Sequence, residues 1–388
     1  MDKLKFKNIL IILIGVYCGT VILDNIRELS AGTPSKYIGV LFLVVGVIYW
    51  LKTDKVAINV RTNMPILIFG TYWLIEGIRV YSQNADWLRL VFLFIVYIIC
   101  VSIDYTEKDM VKIENIMIFF AVIFSLISIY MNYDNLDRVN YKLFLNYTID
   151  PNVFCFTMLI PYYVLLKRLK KVFSLNTVMF AIVLVGLLAT GSRGGNYSVI
   201  VGTIVYFFIW LKDSKKHVKV IIAASLLLVV LAIMYPYLEE NLSFVKRLSF
   251  DTVKNDGGSG RVKLWVTTIS EFMEFGISRK IFGTGLSTFI KVISENKVAH
   301  NFAIQSLVEG GFVGLAMYIC VYFSMTKQAF KKDKRLLALV VMTFCISMTL
   351  EAVIARCFWN TIMYIMISKK RYDNKLSITE GENIDAKN

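Results

Sequence analysis

Apolar residues fill long blocks of this chain, and short polar stretches separate the blocks. Most blocks are near the 17–25 residues that an α-helix needs to cross a hydrocarbon layer of about 30 Å. We therefore predict an all-α polytopic membrane protein with about 12 transmembrane helices. The last two blocks share so few residues that one span plus a re-entrant segment is the alternative there. The predicted blocks are 8–23, 37–51, 64–81, 87–103, 111–131, 151–166, 174–190, 196–211, 219–237, 300–325, 336–350 and 352–368.

The composition excludes a water-soluble protein. Of the 388 residues, 57% are hydrophobic and 18% are charged, whereas soluble domains have roughly 45–50% and 25%. None of the cysteines forms a CxxC pair, so the sequence gives no support for a disulfide or metal site. The first block follows three lysines as in a signal sequence, but it lacks a small-residue cleavage site, and we interpret it as an uncleaved span.

The distribution of basic residues predicts the topology. If the N-terminus is cytoplasmic, the predicted inner segments hold 26 of the 43 Lys and Arg residues. The outer segments hold the other 17, of which nine lie in one long loop, and long loops count little in the positive-inside rule. We therefore expect a multi-pass membrane protein with both termini in the cytoplasm. The net charge of +15 needs no nucleic-acid partner to explain it.

The long outer loop, residues 238–299, is the most unusual connection. Its run Asn255–Gly260 is rich in glycine and polar residues, and Gly283 and Gly285 predict a tight turn. Between them, Val262, Trp265, Ile269 and Phe272 recur at helical spacing. This stripe could lie on the membrane surface or pack on the spans. The expected organisation is helices 1–9 in 1–237, an extracytoplasmic loop with short helices in 238–299, helices 10–12 in 300–368 and a disordered cytoplasmic tail in 369–388.

Arginine is distributed unevenly between the two predicted sides. Lysine dominates the inner segments, whereas nine arginines lie in the outer ones. The planar guanidinium group binds phosphate in a bidentate manner, so this distribution predicts an anionic ligand on the outer side. Lipid headgroup anchoring and ordinary ion pairs are the alternative. The outer arginines are Arg27, Arg79, Arg89, Arg138, Arg193, Arg247, Arg261, Arg279 and Arg356.

Two residues are the strongest candidates for chemistry. Arg193 lies in the sequence TGSRGG between two apolar blocks, where a charge is costly and suggests function. A tight hairpin whose arginine reaches the headgroups is the structural alternative. His300 opens a block on the outer side, where a neutral imidazole could accept a proton from a hydroxyl. A histidine that only begins a helix is the alternative.

Nearby polar residues are secondary candidates. Glu309 lies nine residues after His300, on the opposite helix face and about 13 Å deeper, so it is expected to hold a neighbouring helix or arginine. Asp150 and Asn152 flank a proline at the start of the sixth block, where helix capping also explains them. We find no DxD motif and no P-loop, which argues against a metal-dependent nucleotide-sugar transferase and an ATP-driven pump.

The order of these motifs resembles a known family. GSRGG, GRVKLW with Arg261, GTGLSTF and AHNFAIQSLVEGGFVG follow one another over roughly 130–320, with Arg138 and DPN upstream. This pattern is similar to the superfamily of O-antigen ligases and Wzy-type polysaccharide polymerases. The resemblance implies a GT-C-like membrane fold and a metal-independent, inverting glycosyl transfer from undecaprenyl diphosphate, without a cofactor.

Carried onto this chain, the resemblance assigns roles to residues. His300 would activate the acceptor hydroxyl, and Arg193 and Arg261 would bind the diphosphate. We expect the substrate to contact further polar residues of the outer side. These are Arg138, Asp150, Asn152, Arg247, Asn301, Glu309, Arg356, Arg79 and Arg89.

Several functions remain open at this point. We favour a repeat-unit polymerase of a capsular or exopolysaccharide, because the Lys-, Ile- and Asn-rich composition is typical of AT-rich bacteria, many of which lack lipid A. An O-antigen ligase-type transferase is the alternative within the superfamily. A flippase or other transporter of lipid-linked oligosaccharide, or a scaffold of an export complex, would be a different class. The expected partners are the undecaprenyl-diphosphate-linked oligosaccharide, membrane lipid, and flippase and chain-length regulator proteins.

Overall fold

The computed structural model is almost entirely helical in the residues that it describes. These are 3–25, 33–53, 58–80, 86–132, 142–144, 147–169, 174–213, 260–295, 297–351 and 353–368. The first group of helices is α1 (Lys3–Thr20), α2 (Pro34–Leu51), α3 (Val60–Arg79), α4 (Asp86–Val101), α5 (Glu107–Asn132), α6 (Pro151–Arg168), α7 (Leu175–Ala189) and α8 (Arg193–Asp213). The second group is α9 (Arg261–Glu274), α10 (Ile277–Phe282), α11 (Phe289–Val292), α12 (Phe302–Lys332), α13 (Leu336–Ser347) and α14 (Arg356–Ile367).

Two short elements were not predicted from the hydrophobic pattern. A 3-10 turn, Val21–Asn25, follows α1. A two-stranded antiparallel hairpin, β1 (Lys142–Phe144) and β2 (Tyr147–Thr148), precedes α6 and pairs Lys142 with Thr148. The fold is therefore helical apart from this hairpin in the part of the chain that is described.

The predicted apolar blocks correspond to helices wherever they can be compared. The ninth block, 219–237, lies outside the described residues, as do the run Asn255–Ser259 and the tail 369–388. Five helical segments are long and apolar enough to cross a membrane: Leu4–Asp24, Pro34–Leu51, Glu107–Asn132, Arg193–Lys212 and Phe302–Lys332. The molecule is a polytopic helical membrane protein, and the number of twelve spans and the GT-C-like fold stay predictions.

The last two predicted blocks form two separate short helices. With 12 residues each, α13 and α14 are about 18 Å long, which is less than the hydrocarbon thickness. Every residue of α14 is buried, so this helix lies inside the bundle. Lys332, at the end of α12, donates to the carbonyl oxygens of Ile365 (3.1 Å) and Met366 (2.6 Å) near the end of α14. The chain therefore runs along α13 and returns along α14.

Ion pairs define one end of the bundle. Lys7 of α1 lies 3.0 Å from Asp109 at the start of α5. Glu114, one turn further along α5, lies 2.6 Å from Arg168 at the end of α6 and accepts a hydrogen bond from Tyr364 (2.8 Å). We call this the Lys7 end and the opposite one the His300 end. Lys7 and Arg168, which the sequence predicts on the inner side, lie at the same end of the bundle. The assignment of this end to the cytoplasm stays a prediction.

Part of the predicted outer loop packs beside a transmembrane helix. The short helix α10 lies against Gly310 and Gly311, about 12–14 Å along α12 from its first residue. Gly311 has φ +63° and interrupts α12 with non-helical geometry, and a side chain there would collide with the carbonyl of Ile281. Gly283 likewise packs against the carbonyl of Glu309. The described part of loop 238–299 therefore re-enters the bundle.

The helix predicted after the glycine-rich run is present as α9, but its packing differs from the predicted stripe. Leu264 and Phe272 are buried, whereas Val262 and Ile269 are exposed. The predicted stripe thus lies along the border between the buried and the exposed side of α9. Packing on the bundle and contact with the membrane surface both fit this helix, on opposite faces.

Candidate active site

A cavity of about 240 Å³ opens between helix ends at the His300 end of the bundle. Its lining comes from segments far apart in the chain: the turn after α1, α4, the start of α6, the segment before α12, and the connection between α13 and α14. The polar residues of the lining include Asp24, Arg89, Asp150, His300, Glu351 and Arg356. Four predicted site residues therefore converge on one cavity, and we call it the His300 cavity.

The backbone holds His300 in an unusual conformation. Its φ is +46°, a left-handed value that non-glycine residues adopt rarely and at a cost of about 1–3 kcal/mol. On one side, the carbonyl of Ala299 accepts a hydrogen bond from the Trp265 indole at 2.9 Å. On the other side, Asn301 caps α12 by accepting from the amides of Ala303 (3.0 Å) and Ile304 (3.2 Å). These two anchors hold the backbone on both sides of His300, which is part of the cavity wall.

Arg261 reaches the same region through α9. It is the first residue of this helix, and Trp265 follows one turn later on the same face. Because Trp265 bonds to Ala299, the start of α9 lies beside the residue that precedes His300. The structure therefore brings the start of α9, where Arg261 lies, near the margin of the cavity, although Arg261 is not part of the lining.

The glycine-rich turn places Arg193 at another margin. Arg193 is half-buried and begins α8. Ser192 donates to the side chain of Asn152 (2.5 Å), and Gly194 packs so closely on Thr349 that a side chain there would collide with it. Asn152 and Thr349 are each one residue from a residue of the lining, so the turn lies directly beside the cavity.

Helix capping explains part of the predicted polar set. Asp150 begins α6 and accepts from the amide of Asn152 at 2.7 Å. The Asn152 side chain is 1% exposed, and its Nδ2 has no hydrogen-bond partner among the described residues. Both amide atoms of the equally buried Asn196, in the first turn of α8, also lack one. Sequence reasoning missed Asn196, and the unsatisfied groups of both asparagines are buried beside the His300 cavity rather than part of its lining.

Arg356 is engaged within the protein. Its guanidinium lies 2.5 Å from Asp24 and donates to Ser35 at 3.1 Å, and only 5% of the side chain is exposed. Asp24 was not predicted as a site residue, because an isolated acid after the first span carries no pattern. The pair neutralises two of the charges of the cavity.

Glu351 is the main residue that sequence reasoning missed. It lines the His300 cavity in the connection between α13 and α14. Burial and the nearby Asp86 raise the pKa of Glu351 to about 7, whereas Arg89 and a hydrogen bond from Gln305 act in the opposite direction. The charge of the cavity therefore changes near neutral pH.

The remaining predicted residues lie elsewhere. Glu309 is fully buried and accepts from the amide of Phe289 (3.1 Å) and from Gln305 (3.2 Å), so it holds the segment before α12, one of the roles expected for it. Arg79 lines a second cavity. Arg138 and Arg247 lie outside the described residues. Within the described part of the chain, no group of three or more His, Cys, Asp or Glu side chains could hold a metal ion.

Comparison with known families agrees with the order of these motifs. Residues 178–319 match the family model Wzy_C, described as O-antigen ligase. The resemblance to the superfamily of O-antigen ligases and Wzy-type polymerases is thereby confirmed. The Wzy_C segment covers about a third of the chain and contains Arg193, Arg261 and His300. No curated protein matches the chain.

Residues outside the Wzy_C segment complete the site. Asp24, Arg89 and Asp150 precede the segment, and Glu351 and Arg356 follow it, yet all five line the cavity with His300. The cavity walls carry nearly balanced charge, whereas Arg193 and Arg261 lie at the margins. This arrangement suits a hydroxyl-bearing sugar inside the cavity and an anionic group at its edge.

Proposed function

We propose that this protein is a repeat-unit polymerase of a capsular or exopolysaccharide. It transfers a sugar chain from undecaprenyl diphosphate to a hydroxyl of a second lipid-linked unit, at the His300 end of the bundle. The observation that carries the proposal is the convergence of His300, Arg89 and Glu351 on one cavity, with the turn that carries Arg193 beside it. The Wzy_C match supports a polymerase- or ligase-type glycosyltransferase in general.

The proposed reaction is a single inverting displacement. The acceptor oxygen attacks the anomeric carbon of the donor sugar and forms the new glycosidic bond. The bond between that carbon and the diphosphate oxygen breaks, and undecaprenyl diphosphate leaves with the electron pair. His300 takes the proton of the acceptor hydroxyl and later releases it to water. A general base of this kind contributes roughly 10²–10⁴-fold to the rate.

The leaving group gains negative charge during the reaction. In the proposed mechanism, the guanidinium groups of Arg193 and Arg261 stabilise this charge without a metal ion. Fixed cations do so efficiently because they are oriented before the reaction and need no reorganisation. We also propose that the buried amide groups of Asn152 and Asn196, which lack hydrogen-bond partners among the described residues, bind sugar hydroxyls when the substrate enters.

The acceptor decides between the two members of the superfamily. The description of the matching model favours a ligase, which would transfer the chain to a lipid A core. The Lys-, Ile- and Asn-rich composition favours a polymerase in a bacterium without lipid A. In either case, we propose the bacterial cytoplasmic membrane as the location, with both termini in the cytoplasm and with flippase and chain-length regulator proteins as partners.

Polysaccharide size in cells tests the proposal. We choose His300→Asn, because asparagine tolerates a positive φ better than most residues, together with Arg193→Ala. Lys297→Ala is the matched control, since Lys297 is exposed and three residues from His300. We expect loss of long chains in both site variants, with single units still made. Normal chain length in both would refute the proposal, and units trapped on the cytoplasmic face would favour a flippase.

A further inference from the structure

A second cavity at the His300 end is lined by basic residues. Its volume is about 310 Å³, and its lining includes Arg79, Arg279 and Lys291 with the hydroxyl residues Thr284 and Thr288. The described residues that line it include no carboxylate. Three cations around one small cavity produce a strong positive potential, and oxyanions such as phosphate are the ligands that such a site binds.

The cavity is held in shape by contacts of its own wall. Arg79 Nε donates to the buried carboxylate of Glu76 at 2.9 Å, and its Nη2 donates to the carbonyl of Gly283 at 3.2 Å. Glu76 offsets the charge of Arg79, and Arg279 and Lys291 contribute two further basic side chains to the lining. Because both contacts orient the guanidinium, little rotamer entropy is left to lose when an anion binds.

The segment that carries the other cations is fixed to α12. The amide of Thr284 donates to the carbonyl of Val308 (3.0 Å), and the amide of Gly285 donates to the carbonyl of Glu309 (2.8 Å). The Thr288 hydroxyl bonds to the carbonyl of Gly285 at 2.7 Å. This wall is therefore anchored to a transmembrane helix rather than presented on an open loop.

The surroundings of the cavity are apolar and exposed. Ile75 and Ile78 of α3 are more than half exposed, and Ile281 of α10 and Ile290 of α11 are also exposed. Helix α10 packs on α12 about 12 Å from the start of that helix. Exposed apolar side chains therefore flank the basic cavity, which is the arrangement expected where a lipid chain lies beside a site for its phosphate group.

We propose that this cavity binds the phosphate group of a membrane-embedded lipid, and that this lipid is the diphosphate-linked acceptor unit. The second part rests on the proposed function. Polymerisation joins two lipid-linked units, so it needs a place for two diphosphate groups at one end of the protein. Arg193 and Arg261 lie beside the His300 cavity and serve the donor, and the cavity of Arg79, Arg279 and Lys291 serves the other unit.

Binding, rather than turnover, tests the site. The variant Arg279→Gln/Lys291→Gln removes two exposed cations, whereas Arg79 is left in place because its loss would leave Glu76 buried without its cation. The control is Lys280→Gln/Lys297→Gln, which removes the same charge from α10 and from the connection before α12, outside the lining. Purified protein in phosphatidylcholine nanodiscs is titrated with undecaprenyl diphosphate, phosphatidylglycerol or inorganic phosphate, and His300→Asn is measured in parallel.

We expect undecaprenyl diphosphate to bind at least tenfold more weakly to the double variant than to the wild type and the control. The donor site also binds this lipid, so the titration is expected to show two binding sites in the wild type. The double variant should either weaken one of the two or reduce the number of lipids bound per protein from two to one. Equal loss for phosphatidylglycerol would keep a lipid-phosphate site and overturn its assignment to the acceptor. Loss for free phosphate alone, or unchanged binding of every probe, would overturn the site. If His300→Asn is inactive but binds undecaprenyl diphosphate like the wild type, the lipid site is independent of the proposed role of His300 as a base. A failure of one proposal can then be distinguished from a failure of the other.

Discussion

The buried ion pair of Arg356 and Asp24 gives a prediction whose magnitude follows from the structure. The two side chains are 5% and 2% exposed, and Arg356 Nη1 lies 2.5 Å from Asp24 Oδ2 and 3.1 Å from the Ser35 hydroxyl. The guanidinium also lies over the rings of Phe92 (5.4 Å) and Tyr17 (6.0 Å). The substitution Arg356→Met keeps the volume approximately but leaves the Asp24 carboxylate buried without its cation.

Breaking a buried ion pair in this way costs about 3–5 kcal/mol, because the remaining charge is neither solvated nor paired. With a change of about 2 °C in melting temperature for each kcal/mol in a large chain, we expect a decrease of roughly 6–10 °C. Asp24→Asn/Arg356→Met removes both charges, so the double variant should recover most of this loss. The neutral amide can still bond to Thr33 and Ser35, which are the other partners of Asp24.

The assay is thermal unfolding of detergent-purified protein with a thiol-reactive dye, since Cys18 and Cys357 are buried and become reactive on unfolding. The control is Lys297→Met, which removes an exposed pair with Glu295 at 3.8 Å and should cost at most ~1 kcal/mol. A melting temperature of Arg356→Met within the range of this control would refute the reasoning. A double variant no more stable than the single one would do so as well.

Three further predictions address the cavity and the re-entrant segment. Ionisation of Glu351 through pH about 7 adds a negative charge to the cavity whose margin holds the proposed diphosphate site. The KM for the lipid-linked donor should therefore rise between pH 6 and 8 by about 5- to 30-fold, or ~1–2 kcal/mol at an effective dielectric constant near 20. Glu351→Gln should abolish the rise, and a flat wild-type profile would contradict it. Gly311→Ala, with φ +63° and a collision with the Ile281 carbonyl, should lower the melting temperature by at least ~4 °C, and an unchanged value would refute the packing. Trp265→Phe removes the bond to Ala299, which should cost only ~1 kcal/mol of stability and leave the protein folded. Turnover by the folded variant should nevertheless decrease, and unchanged turnover would show that this bond does not position His300.

The membrane helices could be predicted from the sequence because one physical length governs them. A block such as 111–131 must cover the hydrocarbon layer, so its apolar content alone predicts α5, which spans Glu107–Asn132. The re-entrant packing of α10 could not be predicted in the same way. It depends on close contact between Gly283 and the Glu309 carbonyl, residues far apart in sequence. The glycines predict a turn, but not what the turn contacts.

The candidate site likewise contains residues that the local sequence predicts and residues that only the three-dimensional structure identifies. Arg193 and His300 stand out in the sequence because a charge between apolar blocks and a lone outer histidine are locally unusual. Glu351 and Asn196 have no distinctive sequence context. Glu351 becomes a candidate only because it lines the cavity, and Asn196 only because its buried amide lacks hydrogen-bond partners among the described residues. Arg356 was expected to contact substrate on its position alone. Its contact with Asp24 spans almost the whole chain, and no local pattern predicts it.

Synthesis by the purified protein tests the central claim most directly. The protein is reconstituted in liposomes with undecaprenyl-diphosphate-linked repeat units and a chelator, and both chain length and released undecaprenyl diphosphate are measured. We predict a ladder of longer chains, with one undecaprenyl diphosphate released for each new bond. The His300→Asn variant should be slower by roughly 10²–10⁴-fold, the contribution of a general base. Chain growth at the wild-type rate in folded His300→Asn protein would contradict the account.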